Sequence, residues 1–205
     1  LGDYSRALEV NDRDPQYYNS RGHCQFMLEA YEPGIADYRQ AAELAQDSAV
    51  YYTDLADACQ YCGRWEEAAT AYRAAVAIDN QYSRAYQNAS WLMATCPDAK
   101  VRNVELGLSA AKKSLELEEV RSARGLDTLA AATAAMGKIR EAVSLQREAL
   151  QLASTDEQPE MAQRLRLYEA GKAYFQPTSA SNIASRGGAK NGPIRSASGS
   201  VTVSR

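Results

Sequence analysis

Three places in this chain hold residue types that could do chemistry. Cys59-x-x-Cys62 has the spacing of a redox pair or of half a zinc site, Asp54 and Asp57 are three residues apart, and His23 is the sole imidazole in 205 residues. Each lacks the company its chemistry needs. A thioredoxin-like dithiol follows a strand, and zinc needs two further ligands at suitable spacing, whereas His23 is far from the cysteine pair in sequence. As a general base, His23 would need an aligned nucleophile or carboxylate, and no motif proposes one. The cysteines therefore read as small apolar residues packed in helices, which favours a reducing, cytoplasmic setting. No catalytic residue, metal or cofactor is assigned.

The elements that position these residues follow from a period. Tyr18 to Gly22 (YNSRG), Tyr52 to Ala56 (YTDLA) and Tyr86 to Ser90 (YQNAS) recur at a spacing of 34 residues. Self-similarity on that scale specifies stacked helix pairs, a solenoid, before any single residue is interpreted. Aligned on the small residues Gly22, Ala56, Ser90 and Ala130, the chain places further small residues at Gly34, Ala68, Gly107 and Ala142, and again at Ala41, Ala75, Ser114 and Ala149. Large residues fall between them, at Tyr18, Tyr52, Tyr86 and Leu126 and at Tyr31, Trp65 and Ile139. Small residues let two antiparallel helices approach closely while rings fill the gaps. Gly63 and Gly137 follow predicted helix ends, where a left-handed residue is easiest, and Pro33 falls in an opening turn that tolerates its missing N–H.

This pattern resembles the tetratricopeptide repeat over roughly residues 1–153. The resemblance implies an all-α, right-handed superhelical solenoid of antiparallel helix hairpins: the second helix of a truncated repeat (1–14), then four repeats at about 15–48, 49–82, 83–120 and 121–153. Gln46 and Asn80 stand where the family pattern closes each repeat with Pro, and the third repeat carries about five extra residues around Cys96–Lys100. The segments Trp91–Asp98, Leu126–Ala132 and Arg164–Lys172 are similar to a bacterial subtype found at the ends of long multidomain chains, including Ser/Thr kinases. The chain opens at Leu1 inside a helical pattern, which reads as part of a longer protein, so a regulatory or substrate-recruiting region of a larger signalling enzyme is the alternative function. Within the 205 residues no Gly-rich phosphate loop and no HRD or DFG motif occurs.

Residues 159–174 carry Met161, Leu165, Leu167 and Tyr168 and read as a capping helix over the open end of the last repeat. From 177 to 205 the composition turns to Ser, Gly, Ala and Asn, which cannot build a core and reads as a disordered tail. Arg186, Lys190, Arg195 and Arg205 give that tail its charge, so the net −3 of the whole chain conceals a body at about −7. Four charges and no aromatic ring are too few for a nucleic-acid partner. No run reaches the roughly 18 apolar residues of a membrane helix.

In this family the first helices line a concave groove that receives a peptide. Groove positions fall at Asn19, His23, Phe26 and Met27; Asp54, Asp57, Gln60 and Tyr61; Arg84, Gln87, Asn88 and Trp91; and Arg124, Asp127 and Thr128. A carboxylate clamp needs Lys and Asn donors, and the lysines are missing. The expected binding set is Asn19, His23, Asp54, Asp57, Tyr61, Arg84, Gln87, Trp91, Arg124 and Asp127, facing a protein or peptide partner with basic and apolar side chains. Trp91 reads equally as a groove anchor or as packing on the inserted turn at 97–103.

Overall fold

The computed structural model describes residues 1–177. The 177–205 segment read as disordered lies, apart from Pro177, outside the described residues. Ten helices follow in order: α1 Gly2–Val10, α2 Pro15–Met27, α3 Tyr31–Leu44, α4 Ala49–Tyr61, α5 Trp65–Ile78, α6 Ser83–Thr95, α7 Val104–Leu117, α8 Ala123–Ala135, α9 Ile139–Leu152 and α10 Gln158–Glu169. They form an all-α solenoid of antiparallel pairs, α2 with α3, α4 with α5, α6 with α7 and α8 with α9.

Local sequence sets where the helices start and stop. Asp14 accepts from the backbone N–H of Gln16 ahead of Pro15, Asn103 from that of Leu106 and Ser122 from that of Gly125, each satisfying a donor the helix cannot. Gly63 and Gly137 end α4 and α8 with φ of 74° and 79°, and the next N–H in each case returns to a carbonyl one turn back. Glu29 takes the same conformation at φ 61° after α2, a position where a side chain is strained.

Small residues set the spacing within pairs. A Cβ on Gly22 would lie 3.0 Å from the Gly34 carbonyl oxygen, and one on Gly34 would meet the Phe26 ring at 2.8 Å. Ala56, Ala68, Ala75, Ala130, Ala142 and Ala149 are wholly buried at the equivalent contacts. In the third pair Ser90 takes this place, its hydroxyl donating to the Gly107 carbonyl at 2.7 Å. The main core runs through Phe26, Ile35, Tyr38, Leu55, Cys59, Tyr72, Leu92 and Cys96, and Leu126 and Met161 anchor a further cluster at the α8–α10 end.

Two features place the inner face. Helix α6 packs on α4 and on α8 as well as on α7, while the second helices make no comparably close approach to one another, so the first helices line the tighter side of the curve. The connection from α6 to α7 spans residues 96–103, where the other pairs are joined by three residues, such as 62–64 and 136–138. Arg102 donates to the Cys96 carbonyl at 2.9 Å and the Asn103 N–H to that of Met93 at 3.0 Å, folding the long turn back on α6.

The capping element is shorter than the 159–174 read from sequence. Helix α10 stops at Glu169 because Gly171, at φ 75°, turns the backbone left-handed. Residues 172–177 then leave the helix without regular structure.

Candidate inner-face binding site

The inner face is built from α2, α4, α6, α8 and α10, and its charges are already partnered. Arg84 on α6 donates to Asp54 Oδ1 at 2.8 Å and to Asp57 Oδ2 at 2.6 Å, both on α4. Asn19 donates to Asp54 at 3.1 Å, and Asn88 and the Tyr72 hydroxyl donate to Asp57 at 2.8 and 2.6 Å. Asp54 is fully buried and Asp57 nearly so. Burial works against the Arg84 charge, yet the two carboxylates more than offset it and hold its pKa above the ordinary value. Asp54 sits above the usual carboxylate range: burial raises it, and Arg84 offsets only part of that. Burial beside Asp57 pushes the Tyr72 phenol well up.

A second cluster joins α8 to α10. Arg164 makes a two-pronged pair with Asp127, 2.8 Å at each oxygen, and Gln146 donates to Asp127 at 2.7 Å. Burial again opposes the guanidinium charge and Asp127 restores it, leaving the Arg164 pKa raised. The face of Arg164 lies 5.1 Å from the Trp91 ring centre and 5.7 Å from that of Tyr174.

The expected groove residues thus separate into three groups. Asp54, Asp57, Arg84 and Asp127 are consumed in bonds between successive first helices, so the acidic pair faces Arg84 of its own chain. Tyr61 packs between repeats, its ring centre 5.6 Å from Phe26 and 5.4 Å from Tyr31, and Arg124 is exposed and pairs with Glu157 at 3.0 Å. Of the remaining four, Asn19 is buried with its amide on Asp54, and His23, Gln87 and Trp91 are half-buried. His23 Nδ1 and Asn19 Oδ1 have no hydrogen-bond partner among the described residues, and burial lowers the His23 pKa, favouring neutral imidazole.

Trp91 has an aromatic partner within the chain. Its ring stacks, tilted by 36°, on Tyr174 at 5.7 Å, in the segment that follows α10. That segment runs along the inner ends of α6 and α4. Phe175 lies under the Arg102 guanidinium at 4.8 Å, the Gln176 N–H donates to the Thr95 carbonyl at 2.8 Å, its side-chain amide donates to Thr95 Oγ1 at 2.8 Å, and its amide oxygen accepts from Gln60 at 3.1 Å. Sequence reasoning placed Gln60 at a groove position but gave no role to Thr95, Arg102, Arg164 or Tyr174–Gln176. The available signal was two adjacent aromatics shortly after Gly171.

Reactive thiol chemistry finds no support at Cys59 and Cys62. Burial pushes their pKa values up to about 12 and about 11, the reverse of an activated thiolate. Among the described residues no group of His, Cys, Asp and Glu is arranged to hold a metal ion, and no helix is long and apolar enough to cross a membrane.

TTC0263 of Thermus thermophilus, a thermophilic TPR protein, superposes with a TM-score of 0.62 over 82% of this chain and 87% of that one, at 19% identity. The fold is that of the tetratricopeptide repeat. MamA superposes at 0.59 over 78% of this chain and 87% of its own, with 18% identity. YrrB, a TPR protein with an unusual peptide-binding site, does so at 0.59 over 82% and 84%, with 17% identity. No family model matches the sequence. A curated relative, the small glutamine-rich tetratricopeptide repeat-containing protein 2 of Mycosarcoma maydis, is 29% identical over 76 residues, 37% of this chain and 22% of that protein's length. The match therefore spans about a fifth of that relative.

Proposed function

We propose that this tetratricopeptide-repeat array is a non-catalytic protein-interaction scaffold that takes an extended segment of a peptide or partner protein along its inner face. The observation that carries this reading is the seating of residues 174–176, whose backbone and side chains engage Thr95, Gln60 and Trp91. A face that can hold the chain's own nonhelical backbone offers the groups another such segment needs. The peptide-binding site in YrrB, a neighbour of the same fold, lends support. The half-buried His23 and Gln87 extend the surface beyond the occupied part, and Trp91 anchors it. The buried pairs of Arg84 and Arg164 keep successive first helices fixed, so the surface is preformed and should move little when a partner docks.

Selection of binders from a random peptide library on the full chain tests the reading. Recovered peptides should lose binding to the folded Trp91→Ala variant. If every recovered peptide binds that variant as well as wild type, the inner face is not the binding surface.

A further inference from the structure

We propose that the inner face of the third repeat is a subsite for extended peptides of the pattern aromatic–aromatic–glutamine, and that Tyr174-Phe175-Gln176 is its built-in competitor. The inference rests on the binding reading above and gives that site a ligand chemistry and a control.

Each of the three residues meets a different receptor group. Tyr174 stacks on Trp91 and faces the Arg164 guanidinium, which is fixed by its two bonds to Asp127. Phe175, 47% exposed, presents its ring to Arg102, and Arg102 is held by the Cys96 carbonyl. Gln176 is read at both ends of its amide, and proton assignment makes this selective. The Thr95 hydroxyl donates its one proton to the Trp91 carbonyl at 2.6 Å, so toward the ligand its oxygen can only accept. An NH2 group suits that place, and a carboxylate oxygen would face an acceptor with nothing to share. Glutamate therefore should not replace glutamine, although the two have the same shape.

The segment departs from α10 at Gly171 and belongs to no helix; Ala173 and Tyr174 pack against the cluster of Ala130, Ala134, Ala142 and Tyr168, so a competing peptide must supply the same aromatic contact. Tethering across so few residues gives an effective concentration on the order of millimolar, so a peptide in trans must displace it, and its apparent affinity is reduced by the fraction of sites left open.

The test uses the full 205-residue chain and a fluorescein-labelled peptide of sequence KAYFQP, followed by anisotropy. Wild type should bind weakly, and the Tyr174→Ser/Gln176→Ala variant at least tenfold more tightly. Glutamate in place of the peptide's glutamine should cost at least tenfold. Gln176→Ala alone keeps the Tyr174–Trp91 contact, and it should show the same direction of change even if the double variant loosens α10. Absence of saturable binding to the folded variants, equal affinity for wild type and variants, or equal binding of the glutamate peptide would each overturn the proposal. A library selection that yields Trp91-dependent peptides of unrelated sequence sinks this inference and leaves the scaffold reading standing.

Discussion

The second and third repeats share one design up to the end of their first helix and then part. In the second, α4 closes on Gly63 and three residues lead into α5; in the third, α6 ends without a left-handed residue and residues 96–103 fold back on it. The compact turn serves packing, with Arg64 tied to Glu67 and Glu32 at the surface. The long turn brings Arg102 to the side where it, Trp91 and Thr95 of the same repeat contact residues 174–176. The place where the period breaks is thus where residues 174–176 are seated, while the regular repeats supply the frame around it.

The largest effect should come from the link between these two repeats. Arg84→Ala leaves Asp54 and Asp57 buried without their cation and should cost about 3–5 kcal/mol in urea unfolding, whereas Arg124→Ala, which breaks an exposed pair, should stay within about 1 kcal/mol. Equal costs would mean that Arg84 does not join the repeats as described. Next in size, Gly63→Ala forces a side chain into the left-handed region of the short turn and should cost about 1–2 kcal/mol. The converse change at the first repeat, Glu29→Gly, should raise stability by about 0.5 kcal/mol, as relief of strain exceeds the added chain entropy. A loss there would show that Glu29 is better accommodated than its φ implies. Arg102→Ala should change stability little, by no more than about 0.5 kcal/mol; chemical-shift changes at Phe175 should nonetheless exceed those anywhere in α4 or α5.

Acidity sharpens the same comparison. Asp54 is held above its ordinary pKa, so its contribution to stability is complete below the unfolded-state value near 3.8 and declines as pH rises through the folded value. Glu67, held low chiefly by its bond from Arg64, behaves oppositely and loses its contribution as pH falls. The stability difference between Asp54→Asn and wild type should therefore move in the variant's favour from about pH 4 to about pH 7. Movement the other way would show that Arg84 outweighs burial at Asp54.

The period of 34 and the small residues aligned on it were enough to read the paired helices, because close helix packing admits few residue types and repeats them. The register also carried the Arg84 cluster in latent form: Asp54, Asp57 and Arg84 all fall at groove positions, and the step missed is that groove positions of adjacent repeats face each other before they face solvent. Opposite charges there find one another first. Tyr174–Gln176 was out of reach for a different reason. A nonrepeating segment has no register, and its seat on Thr95 and Gln60 depends on contacts 81 and 116 residues away in sequence. Gly171 did signal the end of α10, and a helix drawn to 174 passed over it.

Residues 174–176 are held on Thr95 and Trp91 of the third repeat. Amide hydrogen exchange at Gln176, followed by NMR in wild type and in Trp91→Ala, tests this most directly. The account predicts a Gln176 N–H protected well beyond an unstructured peptide in wild type, through its bond to the Thr95 carbonyl, and protection lost in Trp91→Ala while the amides of α4 and α8 stay slow. Exchange of the wild-type Gln176 amide at the unstructured rate would contradict it.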